Sequence, residues 1–164
     1  MIVVSDSSPL ISLSKIKYFS LLKDLFNKII IPSAVFQEIV ITGEGKPGAK
    51  ETNKSLNKWI KIAKVKDSLA VQVLLSELER GEAESIILAK ELNADLLLID
   101  DDKAKTKAKL SGLRVRGTVG ILVMGYEAGL VRNLEQSLNE LQKKGFWIEE
   151  KILKEVTEMV RKGS

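Results

Sequence analysis

Apolar and polar positions change their spacing several times along this chain, and each change marks an element. Residues 2–4 and 96–99 are continuous apolar runs, and 28–31 is a β-branched run stopped by Pro32. Such runs predict strands of a parallel sheet covered on both faces. Residues 59–65 alternate apolar with polar, as a half-buried strand toward a sheet edge does, and 113–115 supplies a last strand. Helical spacing fills the intervals. A serine-rich entry and Pro9 open a helix at 9–16, a short one follows at 19–26, Ser33 is placed to cap one over 33–41, and another spans 49–57. Helices at 69–78 and 82–92 are interrupted near Gly81, and a lysine-rich helix follows Asp102. The last three cover 118–128, ended by Gly129, then 133–144, capped by Asn133, and 149–161. The run Thr42-Gly43-Glu44-Gly45-Lys46-Pro47-Gly48 is a loop by composition and the best candidate for a mobile one.

Strands alternating with helices argue for an α/β fold of three layers, α/β/α, with a central, mostly parallel sheet of four to five strands. At 164 residues the chain suits one domain, 1–164, with a substantial core. Its apolar fraction of 45% and charged fraction of 29% are those of an ordinary globular protein, and its apolar runs fall far below spanning length. The chain enters its first strand with no secretory-signal pattern, so the expected location is cytoplasmic, with no membrane partner.

Two absences narrow the chemistry. The chain has no cysteine and no histidine, which excludes disulfides, thiolate zinc sites, Ser-His and Cys-His pairs and an imidazole base. A hydrolase built from what remains would use a carboxylate pair or a hard cation held by carboxylates. The net charge of +4 permits a nucleic-acid partner without demanding one. Lys103, Lys105, Lys107 and Lys109 form the densest basic stretch, but alternate positions wrap around a helix and suit a solvated surface equally well.

The acidic residues carry the strongest signal. Asp6 and Asp100 each fall just past the carboxyl end of a predicted strand, the edge where doubly wound sheets bind their ligands. Glu38 lies early in the helix after the second strand, and Glu82 opens a helix returning to the sheet, so all four reach one edge. Helical phase sets Glu82 with Ile86 and Ala89 and Glu84 with Leu88 and Glu91, which favours Glu82 for the site and leaves Glu84 nearer solvent. Glu38 falls beside Ala34, Val35 and Ile41. Each acid also has a structural explanation. Asp6 can cap the helix that follows, Glu82 and Glu84 can complement a helix dipole, and Asp100 to Asp102 can form a capping turn. Their common placement is what favours a site.

Four segments, taken in order, resemble the PIN-domain ribonuclease family, and more closely its small prokaryotic branch of DUF3368-like proteins. Val3-Val4-Ser5-Asp6-Ser7-Ser8-Pro9-Leu10 is similar to the opening aspartate motif, and Pro32-Ser33-Ala34-Val35-Phe36-Gln37-Glu38 to the second. Gly81-Glu82-Ala83-Glu84-Ser85-Ile86-Ile87-Leu88-Ala89 is similar to the third, Leu97-Leu98-Ile99-Asp100-Asp101-Asp102 to the fourth, and Gly117-Thr118-Val119-Gly120 to the entry of the late helix. The resemblance implies a metal-dependent endoribonuclease using Mg²⁺ or Mn²⁺, often the toxin of a toxin–antitoxin pair, and often a homodimer. It implies Asp6 and Asp100 as principal ligands, with Glu38 and Glu82 binding directly or through water. Asp101 and Asp102 compete with Asp100, because three adjacent aspartates stand where relatives carry a Thr-x-Asp pattern, and Glu82 stands where many toxin relatives have Asp. Ser7, Ser8 and Thr118 are candidates to contact phosphate, or else to cap helices, and Lys103 leads the lysines that would meet an RNA backbone. The alternative function is a non-catalytic PIN-like module that binds nucleic acid or protein. An aspartyl nucleophile of the phosphatase kind is disfavoured by Ser8, which stands where that loop needs a second aspartate.

Overall fold

Alternation of side chains along the central strands divides the molecule into layers. The computed structural model describes residues 1–163. Its sheet has five parallel strands: β1 (Val3–Ser5), β2 (Ile29–Pro32), β3 (Ile60–Ala63), β4 (Leu96–Leu98) and β5 (Val115–Arg116), in the order β3-β2-β1-β4-β5. Val3, Leu96 and Leu98 point into one core and Val4, Leu97 and Ile99 into the other, as a strand with apolar residues on both faces must. The first core is covered by α1 (Ser7–Lys15), α2 (Leu21–Phe26), α8 (Thr118–Glu127), α9 (Leu134–Lys143) and α10 (Glu150–Gly163). The second is covered chiefly by α6 (Arg80–Glu91) and α7 (Asp102–Leu110). α3 (Ser33–Phe36), α4 (Ala49–Ser55) and α5 (Ser68–Leu74) complete the molecule. The expected three-layer α/β/α architecture is therefore the one found. No helix among the described residues is long and apolar enough to cross a membrane.

The strand order reverses between β1 and β4, whose registers pair Val3 with Leu96, Val4 with Leu97 and Ser5 with Leu98. That makes the β1/β4 seam the switch point of the sheet. Leu98 lies fully buried beside it, and Leu98→Ala is expected to lower stability by about 3 kcal/mol, read as an earlier urea midpoint at unchanged slope.

Several boundaries differ from the sequence-based expectation. α6 begins at Arg80, so Gly81 lies inside the helix rather than interrupting it, and the break falls between α5 and α6. β5 is two residues long and starts at Val115. Ser33 is the first residue of α3 rather than its cap. The cap comes from elsewhere: Glu84 Oε1 accepts the Ala34 N–H at 3.1 Å. After Phe36 the helix widens into a π turn, Gln37–Thr42, which shifts the phase of everything beyond it. Ile39, four residues after buried Val35, is buried, while Ile41, expected beside Glu38 on the face of Ala34 and Val35, is 53% exposed.

Candidate active site

Both strands of the seam deliver an aspartate to the same edge. At Asp6 the chain leaves β1 in an extended conformation, and its N–H donates to the Leu98 carbonyl at 2.9 Å, which sets it beside the end of β4. Asp6 occupies the capping position of α1, yet its side chain makes no capping hydrogen bond. It is 5% exposed. Burial, with Glu82, Glu38 and Asp100 adding repulsion, raises its pKa from 3.8 to about 7, against a backbone hydrogen bond from Ser7 that favours the charged form. A carboxyl so placed calls for a cation.

Glu38 comes from the π turn, a distortion that recurs at functional sites. The Ser7 hydroxyl donates to Glu38 Oε2. Gly81 faces both acids: a Cβ there would lie 3.3 Å from Asp6 Oδ1 and 3.4 Å from Glu38 Oε2. The missing side chain leaves a small cradle between two carboxylates. Glu82 follows, its pKa raised by burial and by Asp101, Glu79 and Glu38, while its Oε1 accepts the Glu79 N–H at 3.1 Å. Asp6, Glu38, Glu79 and Glu82 line one cleft of about 230 Å³, with Lys15 at its edge.

Asp100 is held apart from that cleft by its own hydrogen bonds. Its Oδ1 accepts the Thr118 N–H at 2.6 Å, and its Oδ2 accepts the hydroxyls of Thr118 at 2.7 Å and Ser8 at 2.6 Å. Ser8 lines the acidic cleft and so joins the two. Thr118→Val keeps the shape and removes one bond to a carboxylate, with an expected cost of ~2 kcal/mol in urea unfolding.

The family DUF3368, described as a PIN domain, matches residues 2–162. This chain belongs to the PIN domain family. No curated protein matches it. Among solved structures, a PilT N-terminus domain protein from the hyperthermophilic archaeon Sulfolobus solfataricus P2 is similar with a TM-score of 0.56 at 22% identity, over 76% of this chain and 92% of that one. That likeness is one of fold. PIN domains are generally nucleases and generally use divalent metal ions.

In this PIN domain the three adjacent aspartates have separate positions. Asp100 faces Thr118 and Ser8, Asp101 caps α7 by accepting the Ala104 N–H at 2.9 Å, and Asp102 is exposed in the first turn. Asp101 still faces the cleft electrostatically, since it raises the pKa of Glu82. Glu84, expected nearer solvent, has a side chain only 14% exposed, turned onto the start of α3 and Arg80. Packing against another helix decides its direction, which phase within α6 does not show.

The expected substrate contacts are also redistributed. The hydroxyls of Ser7, Ser8 and Thr118 are spent on Glu38 and Asp100, and Thr118 is fully buried, so it positions Asp100 and does not reach the cleft. Lys103 is exposed beside Glu77, Glu79, Glu82 and Asp101. Lys105 shares a side of Gly117 with Asp100: a Cβ on Gly117 would lie 2.8 Å from Lys105 Nζ and 2.8 Å from Asp100 Oδ1. Sequence reasoning places Lys103 ahead of Lys105, although Lys105 stands one helical turn beyond Asp101. It missed Glu79, which only the true start of α6 brings to the cleft.

Among the described residues no three acidic groups form a ready chelate. The donors are all oxygen, and Gly81 leaves room between two of them. This suits a hard cation that keeps several waters and takes one or two carboxylates, rather than an all-protein cage.

Proposed function

We propose that this PIN domain is a divalent-metal-dependent endoribonuclease. The observation that carries this reading is the cradle at Gly81, where buried Asp6, its pKa raised to about 7, meets Glu38. Asp6 and Glu38, with Glu82 and Asp100 directly or through water, would hold Mg²⁺ or Mn²⁺, which supplies charge neutralisation at the phosphate and a more acidic water. The chain's own residues set the geometry. β1 and β4 fix Asp6 to the sheet, Ser7 orients Glu38, and Thr118 and Ser8 lock Asp100. Lys15 at the cleft and Lys105 beyond Asp100 offer positive charge to the phosphates on either side of the cut.

The test is incubation with single-stranded and structured RNA. Internal cleavage with Mn²⁺, lost in chelator and in Asp6→Asn, supports the reading. One observation favours the competing non-catalytic module: Asp100 already accepts three hydrogen bonds. RNA left intact by a chain that binds it decides for that module. The biological setting we propose is the toxin of a toxin–antitoxin pair, acting as a homodimer. Growth arrest on expression, relieved by Asp6→Asn, checks the first part, and sedimentation equilibrium checks the second.

A further inference from the structure

Asp100, bonded to Ser8 of the acidic cleft, lines a second cleft of about 600 Å³. Gly117 stands at the join. Its φ is −94°, a value open to any residue, so its value lies in clearance: a Cβ would press on both Asp100 and Lys105 at 2.8 Å. Lys105, Lys109 and Arg116 line the second cleft together with Asp100. Arg116 lays its stem across the first turn of α8, where a Cβ on Gly120 would come within 3.2 Å of its Cδ. Phe146 and Ile148 pack into the core, and between them Trp147 is turned outward, 74% exposed, into the same cleft.

We propose that this cleft is the track for the single strand leaving the acidic site, with Lys105 and Arg116 meeting its phosphates and Trp147 stacking one of its bases. The proposal rests on the nuclease reading. An anionic polymer approaching a cluster of carboxylates needs cations at the flank, and they stand on the Asp100 side. An exposed indole offers a flat face to any unstacked base, which a duplex does not present. Asp102, Glu127, Glu149 and Glu155 line the cleft as well. With these acids on its walls, the cleft leaves Lys105, Lys109 and Arg116 to meet phosphates and Trp147 to meet a base.

The chain has two tryptophans, and Trp59 packs on Phe19 with ring centroids 5.4 Å apart, so exposed-indole fluorescence reports Trp147. The experiment titrates a short oligouridylate, in chelator, into the Asp6→Asn chain. Saturable quenching is expected from the single strand and not from a duplex. With the variants, binding is read by the anisotropy of an end-labelled oligouridylate: Trp147→Ala should weaken it about 10-fold, Trp147→Phe should restore most of it, and Arg116→Ala should lower the salt slope by about one. Unchanged affinity in Trp147→Ala, equal quenching by duplex, or quenching by protein concentration alone overturns the track. Because binding is read without turnover, a chain that binds this way but never cleaves upholds the track and refutes the nuclease. Cleavage with an unaltered KM in Trp147→Ala refutes the track alone.

Discussion

Asp6→Asn is expected to abolish metal-dependent RNA cleavage, by at least ~100-fold, while making the metal-free chain more stable at about pH 8. The two effects share one cause. Folding raises the Asp6 pKa from 3.8 to about 7, so between those values the unfolded chain holds fewer protons than the folded one. Stability therefore falls as pH rises through that interval, and the penalty is complete above it, with an upper bound of about 4 kcal/mol. Asparagine does not ionise and avoids it. The gap in Tm between variant and wild type should be ~2–4 °C for each kcal/mol recovered, widest in alkali and closing in acid. Mn²⁺ should reverse the order by stabilising the wild-type chain more. Calorimetry with and without Mn²⁺ measures all of this, and a variant no more stable than wild type in alkali would show that Asp6 carries no uncompensated charge.

Gly81→Ala is expected to separate activity from stability in another way. Gly81 lies within α6, where alanine is favoured over glycine by roughly 0.5–1 kcal/mol. The added methyl, however, enters the cradle 3.3 Å from Asp6 Oδ1 and 3.4 Å from Glu38 Oε2. The chain should unfold at the same or a slightly higher temperature and lose Mn²⁺ affinity about 10- to 100-fold. Isothermal titration with Mn²⁺ decides it, since full affinity in a folded Gly81→Ala chain would place the ion elsewhere.

Most of the fold was legible because its strands are buried on both faces. Residues 2–4 and 96–99 advertise themselves as unbroken apolar runs, and an aspartate one or two residues past such a run, as Asp100 and Asp6 are, is placed at the strand-end edge. The losses lie where direction depends on a distant partner. Glu84 is turned by the open N-terminus of α3, a partner that no spacing within α6 reveals. Gly81 reads as a breaker because glycine usually is one, whereas here it serves clearance. The π turn leaves no mark on the pattern, so nothing in the spacing announces it at Glu38. Lys103, the lysine next to the aspartates in sequence, lies by Glu77, Glu79, Glu82 and Asp101, whereas Lys105 meets Asp100 across Gly117.

The clamp on Asp100 also bears on how the protein is born. Its three donors come from Ser8, near the start of the chain, and from Thr118, well past its middle. A ribosome releases the first long before the second, and domains fold as their segments emerge. A nascent or prematurely ended chain that stops short of Thr118 carries every acid of the site and still lacks the bolt that fixes the last one. If the site cuts RNA, the message being read is exposed to the finished machine only after Thr118 has emerged.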